Sequence, residues 1–307
     1  MNREEKYIAR LMFKLKVYES NGQAYEDLFV KIMQYSNSNF NSVKPQGQIG
    51  DRKNDGFDKI TGKYYQVYAP ENLQKKESDA IVKLNTDFTG LYHHWNTISP
   101  IKEFFYVLND KYKGTYPTLH EELSKLRTQY QNISFSTFLP KDLEDIFINL
   151  DGDKIISVIG GIPNVDSINN TDYQILNEVV KHLMSYKGSY NNAITPENPD
   201  FDKKIEFNNL SSRIGNLLTT ANYQSYILDE YFSSNSEFTK NDLRDIFNSL
   251  YKEALDSIEE QENKSDLIFF YILDKASPSS ENAVKNSVLV LMSYYFEYCD
   301  IFEAPQE

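Results

Sequence analysis

Glu26, Asp55 and Gln66 are the residues of this sequence whose types and spacing suit them to chemistry. Two carboxylates and an amide oxygen make a donor set for a hard divalent cation. Mg²⁺ commonly takes only one or two carboxylates and completes its shell with water and phosphate oxygens. A cation held this way makes a water nucleophilic and offsets charge on a scissile phosphate. The separation of Asp55 and Gln66 is what a hairpin needs to set them side by side, with Thr61-Gly62 as the turn. An ordinary reading stands beside this one. Asp55 is then a loop aspartate in an Asn54-Asp55-Gly56 turn, Glu26 an exposed or capping acid, and Gln66 an edge-strand residue.

Positioning these side chains falls to the elements around them. Residues 5–18 and 23–36 carry apolar stripes at helical spacing, broken by Asn21-Gly22. Tyr25, Leu28, Phe29, Ile32 and Met33 form the second stripe, and Glu26 borders it. A carboxylate there is costly unless something satisfies it. Short strands are expected at 40–44, 55–60 and 63–69, closed by Pro70. A helix over 72–95, a buried strand at 103–109, a helix at 117–130, a strand at 133–140 and a helix at 141–150 follow. The first half thus reads as an α/β domain with a mixed sheet.

From 151 the texture changes. The run "DGDKIISVIGGIPNVDSINNTDY" is rich in Gly, Asn and Asp and reads as a domain junction. Thr171 suits an N-cap, and helices are expected at about 172–186, 207–233, 239–258, 265–275 and 281–300. The expected domains are 1–150 and an all-α 151–307.

Charge divides the same way. Positions 1–150 hold 20 Lys+Arg against 19 Asp+Glu, while 151–307 hold 12 against 26. Contact with phosphate is therefore sought in the first half, and protein contact in the second. At 307 residues and 40 % hydrophobic the chain fills two ordinary cores. The lone cysteine, Cys299, excludes an internal disulfide and fits a reducing cytoplasm. No run approaches the ~18 apolar residues of a membrane span, and the first twenty residues lack the apolar core of a signal peptide.

The order of helix-Glu26, strand, strand with Asp55-Gly56, strand with Gln66, helix, strand resembles the restriction-endonuclease, or PD-(D/E)XK, nuclease fold. It is most similar to the Mrr-like branch, where Gln replaces the acid of the third strand. The resemblance covers about residues 20–150 and implies an αβββαβ core with Mg²⁺ or Mn²⁺ bound by Glu26, Asp55, Gln66 and the Val67 carbonyl. That branch reads Gln-x-Lys, whereas this chain reads Gln66-Val67-Tyr68. Tyr68 stands where the family's water-orienting lysine would be, and Lys44, Lys53 and Lys83 are the candidates for a displaced one, Lys53 being counted with the catalytic set. Lys44, Arg52, Lys53, Lys59 and Lys63 are candidate phosphate contacts; the bland reading makes them solvated loop charges.

"KIEFNNLSSRIGNLLTTANYQSYILDEYF" (204–232) and "LMSYYFEYCDIFEAP" (291–305) resemble the C-terminal domain of bacterial ABC-three-component defence proteins, related in logic to Lamassu systems. This implies an effector subunit in anti-phage defence, partnering an SMC-like ABC ATPase and a small middle component; a homo-oligomer is a separate candidate assembly. The expected function is a metal-dependent DNA nuclease; the alternative is an inactive nuclease-like fold that senses DNA or acts as a scaffold. Other motifs fail. Gly56 to Tyr64 has the wrong glycine spacing for a phosphate loop, Asp151-Gly152-Asp153 lacks the remaining calcium ligands, and His93-His94 point apart on a helix. His120-Glu121-Glu122 lacks a second His, Gly160-Gly161 lacks a dinucleotide fingerprint, and Cys299 reads as a buried thiol.

Overall fold

The structure is a computed structural model and describes residues 1–44, 52–163, 168, 172–186, 200–234, 237–298 and 300–305. The chain forms two compact units, one of residues Lys16–Val158 and one of Met1–Leu15 with Ile159–Glu307. These units do not follow a cut at 150/151. Helix α1 (Arg3–Glu19) begins in one unit and ends in the other.

The unit of residues 16–158 is built on one five-stranded sheet. Strands β1 (Phe40–Ser42), β2 (Gly56–Asp58) and β3 (Lys63–Tyr68) pair antiparallel in sequence order. Strands β4 (Glu103–Leu108) and β5 (Ser134–Phe138) then add parallel to β3. The sheet is therefore mixed, as the sequence predicts. Asp58 builds the hairpin turn: Oδ1 accepts the Ile60 and Thr61 N–H groups at 2.9 and 3.1 Å, and Oδ2 accepts Asn37 Nδ2 at 2.9 Å. Burial raises the Asp58 carboxyl pKa, but these hydrogen bonds outweigh it and hold the group below its ordinary range. Gly62, at φ 74°, takes the left-handed position that closes the turn.

Helix α2 (Gln23–Ser36) covers one face of the sheet. Its Phe29 meets Phe40, Tyr65 and Phe138 at ring separations of 6.1, 5.5 and 5.5 Å. Helices α3 (Glu77–Trp95) and α4 (Pro117–Gln129) cover the other, where Tyr64, Phe104, Tyr106 and Phe135 pack with Leu84, Phe88, Leu91 and Leu123. The strand alternation of period two explains the division: Tyr65 goes to α2, Tyr64 to α3. Helix α5 (Pro140–Phe147) packs on α2. Residues 74–76 form a separate 3₁₀ turn ahead of α3, so the segment expected as one helix over 72–95 is shorter.

Two expectations need correction. The segment read as an irregular junction from 151 contains helix α6 (Gly152–Ile159), in which Ile155, Val158 and Ile159 are buried. The apolar positions at i, i+3 and i+4 were enough to form a turn of amphipathic helix between the glycines. The helix expected over 207–233 is two, α9 (Ser212–Asn222) and α10 (Ser225–Ser233), and a further helix, α8 (Phe201–Phe207), precedes them where none was expected. Asn209 adopts φ 52° and ends α8 in a Schellman arrangement, with Leu210 N–H donating to Ile205 O at 3.2 Å and Asn209 N–H to Glu206 O at 3.0 Å. Ser211 then caps α9.

The other unit is helical among its described residues. Helix α7 (Tyr173–Met184) is capped by Asp172, which accepts from Gln174 N–H; Thr171, expected in that role, lies outside the described residues, as does Cys299. Helices α11 (Glu237–Ser257), α12 (Lys264–Ala276) and α13 (Asn282–Glu297) complete it. Almost every side chain from Val284 to Phe296 is buried, so α13 is the central helix, wrapped by α7, α9, α10, α11 and α12. Tyr7 of α1 belongs here: its hydroxyl donates to the buried Asp266 at 2.9 Å, and the Arg213 guanidinium lies 4.6 Å from its ring centroid.

Candidate functional site

Strand β2 stops at Gly56 while β3 continues to Tyr68, so the edge of β3 beyond Tyr65 has no backbone partner from β2. Asp55 fills that gap. Its own N–H donates to Tyr65 O at 3.1 Å, and its carboxylate Oδ2 accepts the Val67 N–H at 2.6 Å. On its other side Asp55 O accepts the Val43 N–H at 3.2 Å. The carboxylate is fixed at a sheet edge and is 3 % exposed. Gly56 is required here, because a Cβ would meet the Phe40 ring at 2.2 Å.

Gly56 pairs with Tyr65 and the Asp55 N–H bonds the same Tyr65 carbonyl, so two residues meet one and the β2–β3 register is not carried on to Gln66, which pairs with Tyr106 on β4. Gln66 is 5 % exposed, and its Nε2 approaches Val67 O at 3.5 Å. Its Oε1 is buried and has no hydrogen-bond partner among the described residues. A buried acceptor without a donor costs about 1–3 kcal/mol, so such atoms are rare and call for a missing partner. A cation is a chemically suited one. The donor set of Asp55 carboxylate, Gln66 amide oxygen and Val67 carbonyl fits Mg²⁺ or Mn²⁺, which take oxygen ligands and keep several waters.

Glu26 is placed differently. It lies in the first turn of α2, which covers the face opposite Tyr106, and its carboxylate is 3.5 Å from Lys44 Nζ. Lys44 follows Val43, the backbone partner of Asp55, so Glu26 reaches the same rim through that lysine. Lys44 also meets Asp27 at 3.0 Å; that hydrogen bond lowers the Asp27 carboxyl and raises the Lys44 ammonium. Among the described residues no group of three or more His, Cys, Asp or Glu side chains gathers in a metal-holding arrangement.

Tyr68 ends β3, stacks on Tyr106 with centroids 6.1 Å apart, and has Lys83 Nζ 5.9 Å from its ring centroid. Burial, and then the Asp79 charge, raises its phenol above the ordinary value. The basic residues do not gather on one rim. Lys63 pairs with Glu103 at 3.6 Å at the turn end of the hairpin, and Lys59 is exposed in that turn. Three residues of strand, about 10 Å, separate this end from Gln66. Arg52 is exposed with φ 56°, and Lys53, with φ 63°, pairs with Asp87 at 3.0 Å. Asp87 is the residue that spacing overlooked. It sits on the apolar stripe of α3 between Leu84 and Leu91, is 1 % exposed, and binds Lys83 at 2.7 Å through its second oxygen. A carboxylate three residues after one buried leucine and four before the next was the signal available in the sequence.

The acidic helical unit supplies the relation to known proteins. Residues 174–303 match the family model for C-terminal domain 10 (CTD10) of the ABC-three component (ABC-3C) systems. This segment, from α7 through the end of α13, is similar to that domain of ABC-3C proteins. It excludes Met1–Leu15, which nevertheless belong to the same compact unit. No curated protein and no solved structure matches the chain. Among the described residues, no helix is long and apolar enough to cross a membrane.

Proposed function

We propose that this protein is a DNA-cleaving effector of an ABC-3C antiviral defence system. The 16–158 unit would be a PD-(D/E)XK-like nuclease and the CTD10 segment would dock partners, an SMC-like ATPase and a small middle component. The observation that carries the nuclease reading is the buried, unpartnered Gln66 Oε1 on the residue before Val67, whose N–H fixes the Asp55 carboxylate. The strand pattern supports it: an antiparallel β1-β2-β3 meander, a helix, then β4 parallel to β3. Asp55, Gln66 and the Val67 carbonyl would hold Mg²⁺ or Mn²⁺, with Glu26 contributing through water. When bound, the cation supplies a nucleophilic water and neutralises charge on the scissile phosphate. The Val67 N–H aims the Asp55 carboxylate at the edge of β3, the strand that carries Gln66 and Val67. Arg52 and Lys53, adjoining Asp55, would contact the DNA backbone. Such a small basic surface binds weakly and with strong salt dependence. A partner that already holds DNA relieves that weakness by raising effective concentration.

Plasmid cleavage with Mg²⁺, by the chain alone and with the other ABC-3C components, tests the reading. Asp55→Ala is expected to lower the cleavage rate by at least about 100-fold, and Gln66→Ala to shift the metal requirement upward. Tyr68 in the lysine position favours the second reading, a nuclease-like fold that senses DNA without cutting it. Absence of cleavage in both formats, with DNA binding intact, selects that reading.

A further inference from the structure

Three exposed tyrosines of the helical unit meet on one surface. Tyr173 begins α7 and is 43 % exposed, while Tyr223 and Tyr226 stand at the start of α10 at 76 % and 61 %. The α9–α10 junction is tight. Tyr223 keeps helical backbone angles, Gln224 N–H donates to Ala221 O at 2.9 Å, and Ile227 N–H donates to Gln224 O at 3.1 Å. Tyr223 and Tyr226 are therefore neighbours one turn apart, and Glu230 follows Tyr226 by one more turn. Buried Tyr231 fastens α7 to this face: its hydroxyl donates to Asn177 Oδ1 at 2.9 Å, and its ring centroid lies 6.5 Å from that of Tyr173. Glu230 also reaches Tyr173, whose phenol is raised by desolvation and then by hydrogen bonding to that carboxylate. The polar groups here are acceptors. Asp229 and Glu230 are exposed carboxylates. Asn222, the last residue of α9, buries its Oδ1 with no hydrogen-bond partner among the described residues. A buried acceptor without a donor costs free energy and calls for a partner.

Open aromatic rings, carboxylates and an acceptor lacking a donor share one complement, the guanidinium group. It stacks on aromatic faces, pairs with carboxylates through a planar fork and carries five donors. A phosphate-bearing partner has the wrong sign for this half of the chain, which holds 26 Asp+Glu against 12 Lys+Arg. We propose that the α7–α10 face, centred on Tyr226, docks an arginine-bearing segment of a partner protein. Tyr223 and Tyr226 receive the guanidinium plane, Glu230 sets the charge, and Asn222 Oδ1 accepts one of its N–H groups. Tyr223, Tyr226 and Glu230 lie within the CTD10 match, and Tyr173 one residue before it. The inference rests on the docking reading of that segment and is independent of whether the other unit cleaves DNA.

The test titrates the full-length chain with each of the other ABC-3C components by isothermal calorimetry. Tyr223→Ser and Tyr226→Ser are each expected to weaken binding about 2–5-fold, while Tyr226→Phe, which keeps the ring, leaves it unchanged. Glu230→Gln should also weaken binding, and less so at high salt. Asn222→Ala should weaken it without lowering the thermal unfolding midpoint, a combination that a purely structural asparagine would not give. Unchanged affinity in the Tyr223→Ser/Tyr226→Ser double variant overturns the proposal and leaves the docking reading standing. If the wild type binds none of the components, the docking reading falls instead. Fluorescence anisotropy of labelled nona-arginine and nona-lysine peptides then decides the face. Tighter binding of the arginine peptide, with that preference lost in the double variant, supports it. Equal binding of the two peptides, no binding, or a preference that survives in the double variant overturns it. Dimerisation of the wild type that the double variant abolishes, read by sedimentation, also overturns it, because the occupant is then a second copy of this chain.

Discussion

Single residues show how sparingly this chain buries charge. Lys204 is fully buried, and its ammonium donates to Phe296 O at 2.6 Å and Ile301 O at 2.9 Å, capping the carboxyl end of α13. Lys204→Met leaves both carbonyls without that donor and is expected to cost about 2–4 kcal/mol, read by urea unfolding. Asp300, close by, behaves oppositely. Burial pushes its carboxyl up to about 6, against the lowering effect of Arg244 4.0 Å away. With the folded-state value above the unfolded one, the native state binds the proton more tightly, so this group's contribution to stability falls as pH rises from about 4 to about 6. Asp300→Asn should therefore raise the unfolding midpoint at pH 8 by a few degrees, about 2–4 °C per kcal/mol, and gain little at pH 4. A midpoint unchanged at pH 8 would contradict this.

Elements follow from how their ends are built. Asn209 ends α8 with a left-handed backbone, so Asn209→Gly should leave stability unchanged or slightly improved. Asn209→Val should cost about 1–2 kcal/mol, because a β-branched residue resists that angle; differential scanning calorimetry distinguishes the two. The same stop explains what the sequence made legible and what it did not. Strands β2 and β3 were readable because a glycine turn separates two runs that carry aromatic residues. Helices α9 and α10 were merged into one, and their expected start at 207 ran through the stop after α8, which depends on Asn209 adopting an uncommon backbone angle. Helix α6 was lost among flanking glycines. Asp87 went unnoticed since periodicity identifies apolar faces, and a charged residue on such a face is meaningful only once Lys83, one turn back on α3, and Lys53, from the stretch before Asp55, are seen to meet it.

At the scale of the whole molecule, the candidate cation site and the CTD10 match fall in separate compact units. The near-neutral first half carries the candidate cation site, and the acidic second half carries the CTD10 match. That second unit is discontinuous in sequence. Tyr7 completes it through Asp266, which also accepts the Ser211 N–H at 2.9 Å. Tyr7→Phe is expected to cost about 1–2 kcal/mol, since it removes one donor from a buried carboxylate. A fragment of residues 159–307 should melt below the corresponding transition of the intact chain, and a synthetic peptide of residues 1–15 added in trans should raise that midpoint.

A unit assembled from both sides of its neighbour also has an evolutionary consequence. Gene recombination usually exchanges cassettes at one crossover, but a single joint near position 159 would transplant the CTD10 segment without its partner helix. To trade the inner unit for another and keep the outer one sound, a lineage must splice twice, inserting the new unit as a cargo between residue 15 and residue 159.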